Sequence, residues 1–172
     1  KSFRNHNKNF KIIFMFRDPI SHSNSLLNQH LKFTEFQKND KFILQYMNWL
    51  GHHEFGQNEK RMKFNYKNKF TNKKSINYWL EVWINYYDYL LTFDDSIILV
   101  DYNDFLNNPH ECIYKISKEI NLDMSDIKIL KFTKKGVDNN LPIDNSLKLL
   151  AYQIFEKLIS KKLSVNENGR FP

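Results

Sequence analysis

Residues 11–29 read KIIFMFRDPISHSNSLLNQ, and the reading of this stretch decides the fold. Lys11–Phe16 is a short apolar run closed by Asp18-Pro19, the pattern of a buried strand. From Ser21 to about Phe36 the apolar spacing becomes helical, through Leu26, Leu27, His30, Leu31 and Phe33. Arg17 then stands at the carboxyl end of a strand, where open α/β sheets place their ligands. Ser21, Ser23 and Ser25 follow at the predicted helix start, where unpaired backbone N–H groups favour an anion. Together these residues point to a phosphate or similar oxyanion, held by one guanidinium fork and one or more hydroxyls. Arg17 and Ser25, eight residues apart, are the sharpest pair. The competing reading is an exposed arginine paired with Asp18 and a serine used as a helix cap.

A second apolar run, SIILV at Ser96–Val100, predicts a second buried strand. Tyr102 lies just past it, in the position that matches Arg17. A tyrosine there can stack on a base or offer its hydroxyl to a phosphate; it can also be a half-buried aromatic at a strand end. Asp40 is placed to cap a helix over Lys41–Leu50, with Phe42, Ile43, Tyr46, Met47 and Leu50 on one face. Residues 51–72 lack clean periodicity and read as an irregular excursion. Ser75–Phe93 is the strongest helix, and its Trp79, Trp83, Tyr86 and Tyr87 recur at the spacing of a core face. Pro109 suits a first helical turn that continues through Glu111–Ile120. Asp126–Phe132 is a short element, Lys134 to Asn145 a polar loop, and Ser146–Leu163 a last amphipathic helix.

Two apolar strands separated by helices predict an α/β protein with a parallel sheet covered on both faces. No internal repeat, linker or second domain is visible, so residues 1–172 read as one domain. Charged residues at 26% and hydrophobic ones at 41% fit a soluble globular chain. No apolar run approaches the roughly 20 residues of a membrane span, and no signal peptide stands at the amino end. The expected compartment is the cytoplasm, or a lumen if an anchor lies upstream. The single Cys112 excludes an internal disulfide framework and a cysteine-based zinc site, and its amphipathic surroundings predict a buried thiol.

The net charge of +7 favours anionic partners such as nucleotides, sulfated groups, nucleic acid or acidic lipid. Abundant Lys, Asn, Ile, Phe and Tyr also fit the drift of an AT-rich coding sequence. Lys60–Lys74 holds Lys60, Arg61, Lys63, Lys67, Lys69, Lys73 and Lys74 with no acidic residue, and Phe64, Tyr66 and Phe70 are interleaved. That segment suits nucleic acid or a polyanionic substrate, or else it is simply solvated. Lys134-Lys135-Gly136 is a cationic loop whose glycine permits close backbone approach to an anion. His52-His53-Glu54 lacks a third ligand at a convincing spacing, so no metal site is expected.

KIIFMFRDPISHSNS resembles the second nucleotide-binding motif of PAPS-dependent sulfotransferases. In that family a strand ends in Arg-(Asp/Asn)-Pro, and a serine eight residues after the arginine joins it on the cofactor 3′-phosphate. Arg17, Asp18, Pro19 and Ser25 match this pattern. ILVDYNDFLNNPHECIYKI, beginning at Ile98, is similar to the family's strand-Tyr-Glu-Asp-Leu segment, with Tyr102 on the cofactor-contacting tyrosine and Asn103 in place of the usual Glu. Lys134-Lys135-Gly136 is similar to the late basic loop that grips the same phosphate, and Asn77–Leu91 stands where the family has a Trp-containing helix. The resemblance covers roughly Phe10 to Leu163.

The resemblance implies a P-loop-like three-layer fold, a parallel sheet flanked by helices and incomplete at the amino end. The family's Pro-Lys-x-Gly-Thr phosphate loop and its catalytic base have no counterpart here, and both are expected upstream of Lys1. The implied reaction moves a sulfuryl group from PAPS (3′-phosphoadenylyl sulfate) to a hydroxyl or amine acceptor, without a metal. Arg17, Ser25, Tyr102, Lys135 and Gly136 would bind the nucleotide, and no catalytic residue is assigned. Residues 51–72 are the candidate acceptor segment; if their charge is functional the acceptor is anionic, with a glycan as the candidate. Nucleic acid is then not an expected partner. The alternatives are a non-catalytic remnant that keeps the nucleotide pocket, and a basic nucleic-acid-binding protein.

Overall fold

A computed structural model describes residues 11–62, 69–93, 97–123 and 141–164. The protein is mixed α/β and mostly helical, with a two-stranded parallel sheet among the described residues. The described residues fall into two compact units. One draws on Lys1–Arg17, Leu91–Gly136 and Glu156–Pro172, the other on Asp18–Leu90 and Val137–Phe155.

In the first unit, β1 (Ile12–Phe16) pairs in parallel with β2 (Ile97–Asp101), in a register that runs from Ile12 opposite Ile97 to Phe16 opposite Asp101. β2 is the covered strand: Ile98, Leu99, Val100 and Asp101 are all buried. β1 departs from the expected strand covered on both faces. Its residues alternate, and Ile13 and Met15 are 46% and 40% exposed while Phe16 is fully buried. Period-two geometry sends Ile13 and Met15 to the face opposite Phe14 and Phe16, so only the latter face is packed. Past β2 the chain turns at once into α4 (Tyr102–Asn107), with Asp101 as its N-cap accepting from the Asn103 N–H at 2.8 Å. α5 (Pro109–Ile120) begins on Pro109, as the sequence suggests, and ends on Asn121 in the left-handed region at φ 55°. Cys112 is buried on α5; burial, with Asp104 and Glu111 nearby, pushes its thiol up to about 11.

The second unit is built on α1 (Pro19–Asn39), α2 (Lys41–Trp49) and α3 (Ile76–Leu90). α3 is its centre. Ile76, Tyr78, Trp79, Leu80, Trp83, Ile84 and Tyr87 are buried, and α1 packs along it. Leu27, Ile76, Tyr78 and Trp79 form a core that Ile20, Leu26, Phe55, Phe70 and Val82 extend. α2 follows Asp40, whose carboxylate accepts from the Phe42 N–H at 2.8 Å as expected. Its apolar face is not covered as expected. Only Met47 is buried, while Phe42 and Tyr46 stack at 5.8 Å in the open and Trp49 and Leu50 are exposed. α6 (Asn145–Lys161) closes the described chain.

The irregular residues 51–62 are fastened to α1 by two buried side chains. His30 accepts the Gly56 N–H on Nδ1 at 3.1 Å, and Gln37 accepts the Gln57 N–H on Oε1 at 2.6 Å. Accepting on Nδ1 requires the neutral imidazole. Burial pulls the His30 pKa below 6.5, with Glu59 opposing and Lys73 and Lys74 adding to the shift. A histidine whose folded pKa is depressed stabilises the fold above its unfolded value, and that contribution is lost as pH falls below about 6.5 toward the folded pKa. Melting temperature should therefore fall between pH 7 and pH 5 more steeply in the wild type than in His30→Gln. Parallel pH profiles for the two proteins would rule this out.

Candidate functional site

The strand ends of the first unit carry the predicted site residues Arg17 and Tyr102. Because Phe16 sits opposite Asp101, the next residue on each strand emerges at the same edge of the sheet. The Arg17 guanidinium carbon lies 5.1 Å from the centroid of the Tyr102 ring, within cation–π range, and both side chains are half-buried. A guanidinium over a ring directs its N–H fork in its own plane, the geometry that meets a phosphate or carboxylate bidentately.

Behind them lies a charge cluster that sequence reading missed. Lys162 Nζ is 2.6 Å from Asp104 Oδ2 and 3.6 Å from Asp101 Oδ2. Burial lowers the Lys162 pKa, but the hydrogen bond and charge of Asp104, helped by Asp101, outweigh it and leave it raised. Next to Lys162, the Leu163 N–H donates to the Leu99 carbonyl at 2.7 Å. The tail of α6 thus fixes β2, and the Asp101 and Asp104 flanking Tyr102 were the available signal that a cation would come to this strand end.

Ser25 belongs to the second unit, and its position differs from the expected one. The helix begins at Pro19 rather than Ser21, because Asp18 caps it and proline occupies its first turn. Ser25 therefore lies in the second turn, half-buried, with its hydroxyl donating to the Ser21 carbonyl at 3.0 Å. The helix start is also occupied by a carboxylate of its own. Asp18 Oδ1 accepts from the Ser21 N–H at 2.8 Å, and Asp18 Oδ2 accepts from the Tyr152 hydroxyl at 3.2 Å. Ser23 is fully buried rather than presented to an anion. Lys135 and Gly136 lie outside the described residues, as do Lys134 and the element expected over Asp126–Phe132.

The Lys60–Lys74 stretch takes its counter-ions from distant sequence. Arg61 Nη1 lies 2.7 Å from Glu81 Oε2, Nη2 donates to the Phe70 carbonyl at 2.8 Å, and the guanidinium sits 3.6 Å over the Tyr78 ring. Lys73 lies 2.7 Å from Glu59 Oε2, and Lys69 lies 3.8 Å from Asp144 Oδ2. Tyr78 donates its hydroxyl to both Glu59 oxygens, at 2.7 and 2.8 Å, and burial pushes its own pKa up to about 12. Arg61 and Lys73 are thus internal partners of buried carboxylates, which is a structural use of charges that sequence reading had offered to a polyanion. Lys63 and Lys67 lie outside the described residues.

Gly56 shows how tightly this segment is built. Its φ is +89°, and a Cβ there would meet Gln37 Oε1 at 2.3 Å. Gln37 cannot swing aside without giving up its bonds to Gln57 and Asn58. Gly56→Ala should therefore cost roughly 2–4 kcal/mol from backbone strain and overpacking. A denaturation midpoint equal to that of the wild type would contradict this placement.

Among the described residues no three His, Cys, Asp or Glu side chains converge as metal ligands. His52 Nδ1 instead lies 3.5 Å from Glu54 at the surface, and His53 Nδ1 lies 3.1 Å from the Asn58 amide. Among the same residues no helix is long and apolar enough to cross a membrane. No family model, curated protein or solved structure matches the chain.

Proposed function

We propose that this chain is a PAPS-dependent sulfotransferase domain, in which β1 and β2 are part of a P-loop-like parallel sheet. The observation that carries the reading is the Arg17 guanidinium over the Tyr102 ring at the shared edge of two parallel strands. A planar cation over an aromatic ring, at the carboxyl ends of parallel strands, suits a phosphorylated nucleotide. Arg17 takes the ribose 3′-phosphate bidentately, and Tyr102 orients the arginine. Ser25, Lys135 and Gly136 are assigned to that phosphate by the resemblance alone.

In the reaction the acceptor oxygen or nitrogen attacks sulfur in line. The bond from sulfur to the 5′-phosphate oxygen breaks, the acceptor proton passes to a base, and adenosine 3′,5′-bisphosphate leaves. Positioning and charge stabilisation supply most of the catalysis, as in phosphoryl transfer. Calorimetric titration with adenosine 3′,5′-bisphosphate tests the reading, with adenosine 5′-monophosphate as the twin that lacks the 3′-phosphate. The bisphosphate is expected to bind at least tenfold more tightly, and equal affinities would refute the assignment. Binding without sulfuryl transfer to any acceptor would identify the chain as a nucleotide-binding remnant of the same fold.

A further inference from the structure

The second unit contains a cavity of about 380 Å³ between α3, α1 and the irregular residues 51–62. That volume lies in the range of small-molecule sites. One wall is a single face of α3, because Trp79, Val82 and Tyr86 recur at helical spacing, and Leu26 of α1 continues it. Phe55, its ring 5.6 Å from that of Trp79, and the exposed Met62 also line it. The lining is therefore mainly apolar, with two aromatic rings of the wall provided by buried or half-buried positions on one rigid helix.

The buried charges of the lining, Arg61 and Glu59, are already neutralised, while Lys60 and Glu54 line it from exposed positions. Arg61 is held by Glu81 at 2.7 Å, by the Phe70 carbonyl and by the Tyr78 ring. Glu59, whose side chain is 2% exposed, is held by Lys73 at 2.7 Å and by the Tyr78 hydroxyl. An anion entering here would have to compete with Glu81 for Arg61, and a cation would have to compete with Lys73 for Glu59. Either would lose its hydration without gaining an uncommitted buried counter-ion, since Lys60 and Glu54 are exposed and screened by water, a loss that ordinarily exceeds the return in an apolar site. A neutral ring system meets no such opposition and buries its faces against Trp79, Phe55 and Tyr86. Asn85, 5% exposed, is an uncharged polar side chain of the lining, beside which a hydroxyl or carbonyl on the ring can sit.

We propose that this cavity binds an uncharged, ring-bearing small molecule with one polar substituent. The proposal rests on the second unit alone and stands or falls independently of the nucleotide assignment. It also runs against the polyanionic ligand that the lysine-rich sequence suggested for this segment.

The probe is 2-naphthol, compared by calorimetry with 2-naphthalenesulfonate and 2-naphthylmethylammonium, which carry fixed charges on the same ring. The neutral probe should bind with one-to-one stoichiometry and at least tenfold more tightly than either charged twin. Val82→Trp, which fills the space, should weaken 2-naphthol at least tenfold. Because that variant can fail to fold, a second measurement uses the wild-type protein. Methyl resonances of Leu26, Val82 and Met62 should shift on titration with 2-naphthol, while those of Ile13 and Met15 in the other unit stay in place. Methyls at Leu26, Val82 and Met62 that do not move, or a charged twin that binds as well as the neutral probe, would overturn the proposal.

Discussion

Arg17→Ala is expected to weaken adenosine 3′,5′-bisphosphate by about 100-fold or more. Two charge-assisted hydrogen bonds at roughly 1.5–3 kcal/mol each would disappear. At about 1.4 kcal/mol per decade even the lower figure reaches 100-fold. Arg17 is half-buried at the end of β1, and its backbone follows the last ladder pair, Phe16 with Asp101. Arg17→Lys should fall in between, since an ammonium keeps the charge but loses both the fork and the flat face that lies over Tyr102. Adenosine 5′-monophosphate should bind wild type and Arg17→Ala alike, because the arginine is assigned to the 3′-phosphate alone. A bisphosphate affinity that survives Arg17→Ala within a factor of three would end the assignment of this residue.

The second large effect is one of stability. Glu81→Ala should destabilise the second unit by roughly 3–5 kcal/mol, the cost of leaving a buried charge without its partner. Glu81 has a side chain 6% exposed, and it accepts from Arg61 Nη1 at 2.7 Å and from the Lys69 N–H at 2.7 Å. Removing it strands a guanidinium whose side chain is only 11% exposed, together with a backbone donor. Against a typical total of about 5–15 kcal/mol, such a loss is large. Denaturant unfolding followed by the emission of the buried Trp79 and Trp83 gives the number. Replacing both partners with apolar side chains, Arg61→Met with Glu81→Leu, should recover much of the loss, because a vacated ion pair costs less than a broken one. A single variant that unfolds at the wild-type midpoint would show that the pair is not what secures this segment.

What could be read from the chain, and what could not, follows the range of the interactions involved. β1, β2 and α3 were legible because their apolar patterns are local and end on strong signals: Asp18-Pro19 after β1, and Ser75 before α3. Asp40 and Pro109 were equally legible, since a cap and a first-turn proline act within a few residues. α1 starts at Pro19, two residues before the predicted Ser21, because Asp18 rather than a serine supplies the cap. α4 leaves no apolar period in the sequence, being six residues long with none of them buried. The exposed face of α2 shows the limit of periodicity: Phe42, Tyr46 and Leu50 share the spacing of core residues without being core.

The site divides in the same way. Arg17 and Tyr102 were readable as strand-end residues, and the parallel register brings them together. Lys162 was not readable, because its partners Asp101 and Asp104 lie far upstream. Nor was the pairing of Arg61 with Glu81 or of Lys73 with Glu59. Between Lys60 and Lys74 the sequence holds no acid, and the charge balance of that segment is struck only in three dimensions.

The long excursion between the paired strands carries a thermodynamic burden. β1 and β2 are hydrogen-bonded neighbours, yet the whole of Asp18–Leu90 intervenes between them along the chain. Bringing strand ends together across a disordered tether of that length costs configurational entropy, whereas an ordered tether has already surrendered most of it. Folding of the helical residues between the strands is therefore expected to favour the pairing, so that Glu81→Ala should lower bisphosphate affinity along with the unfolding midpoint.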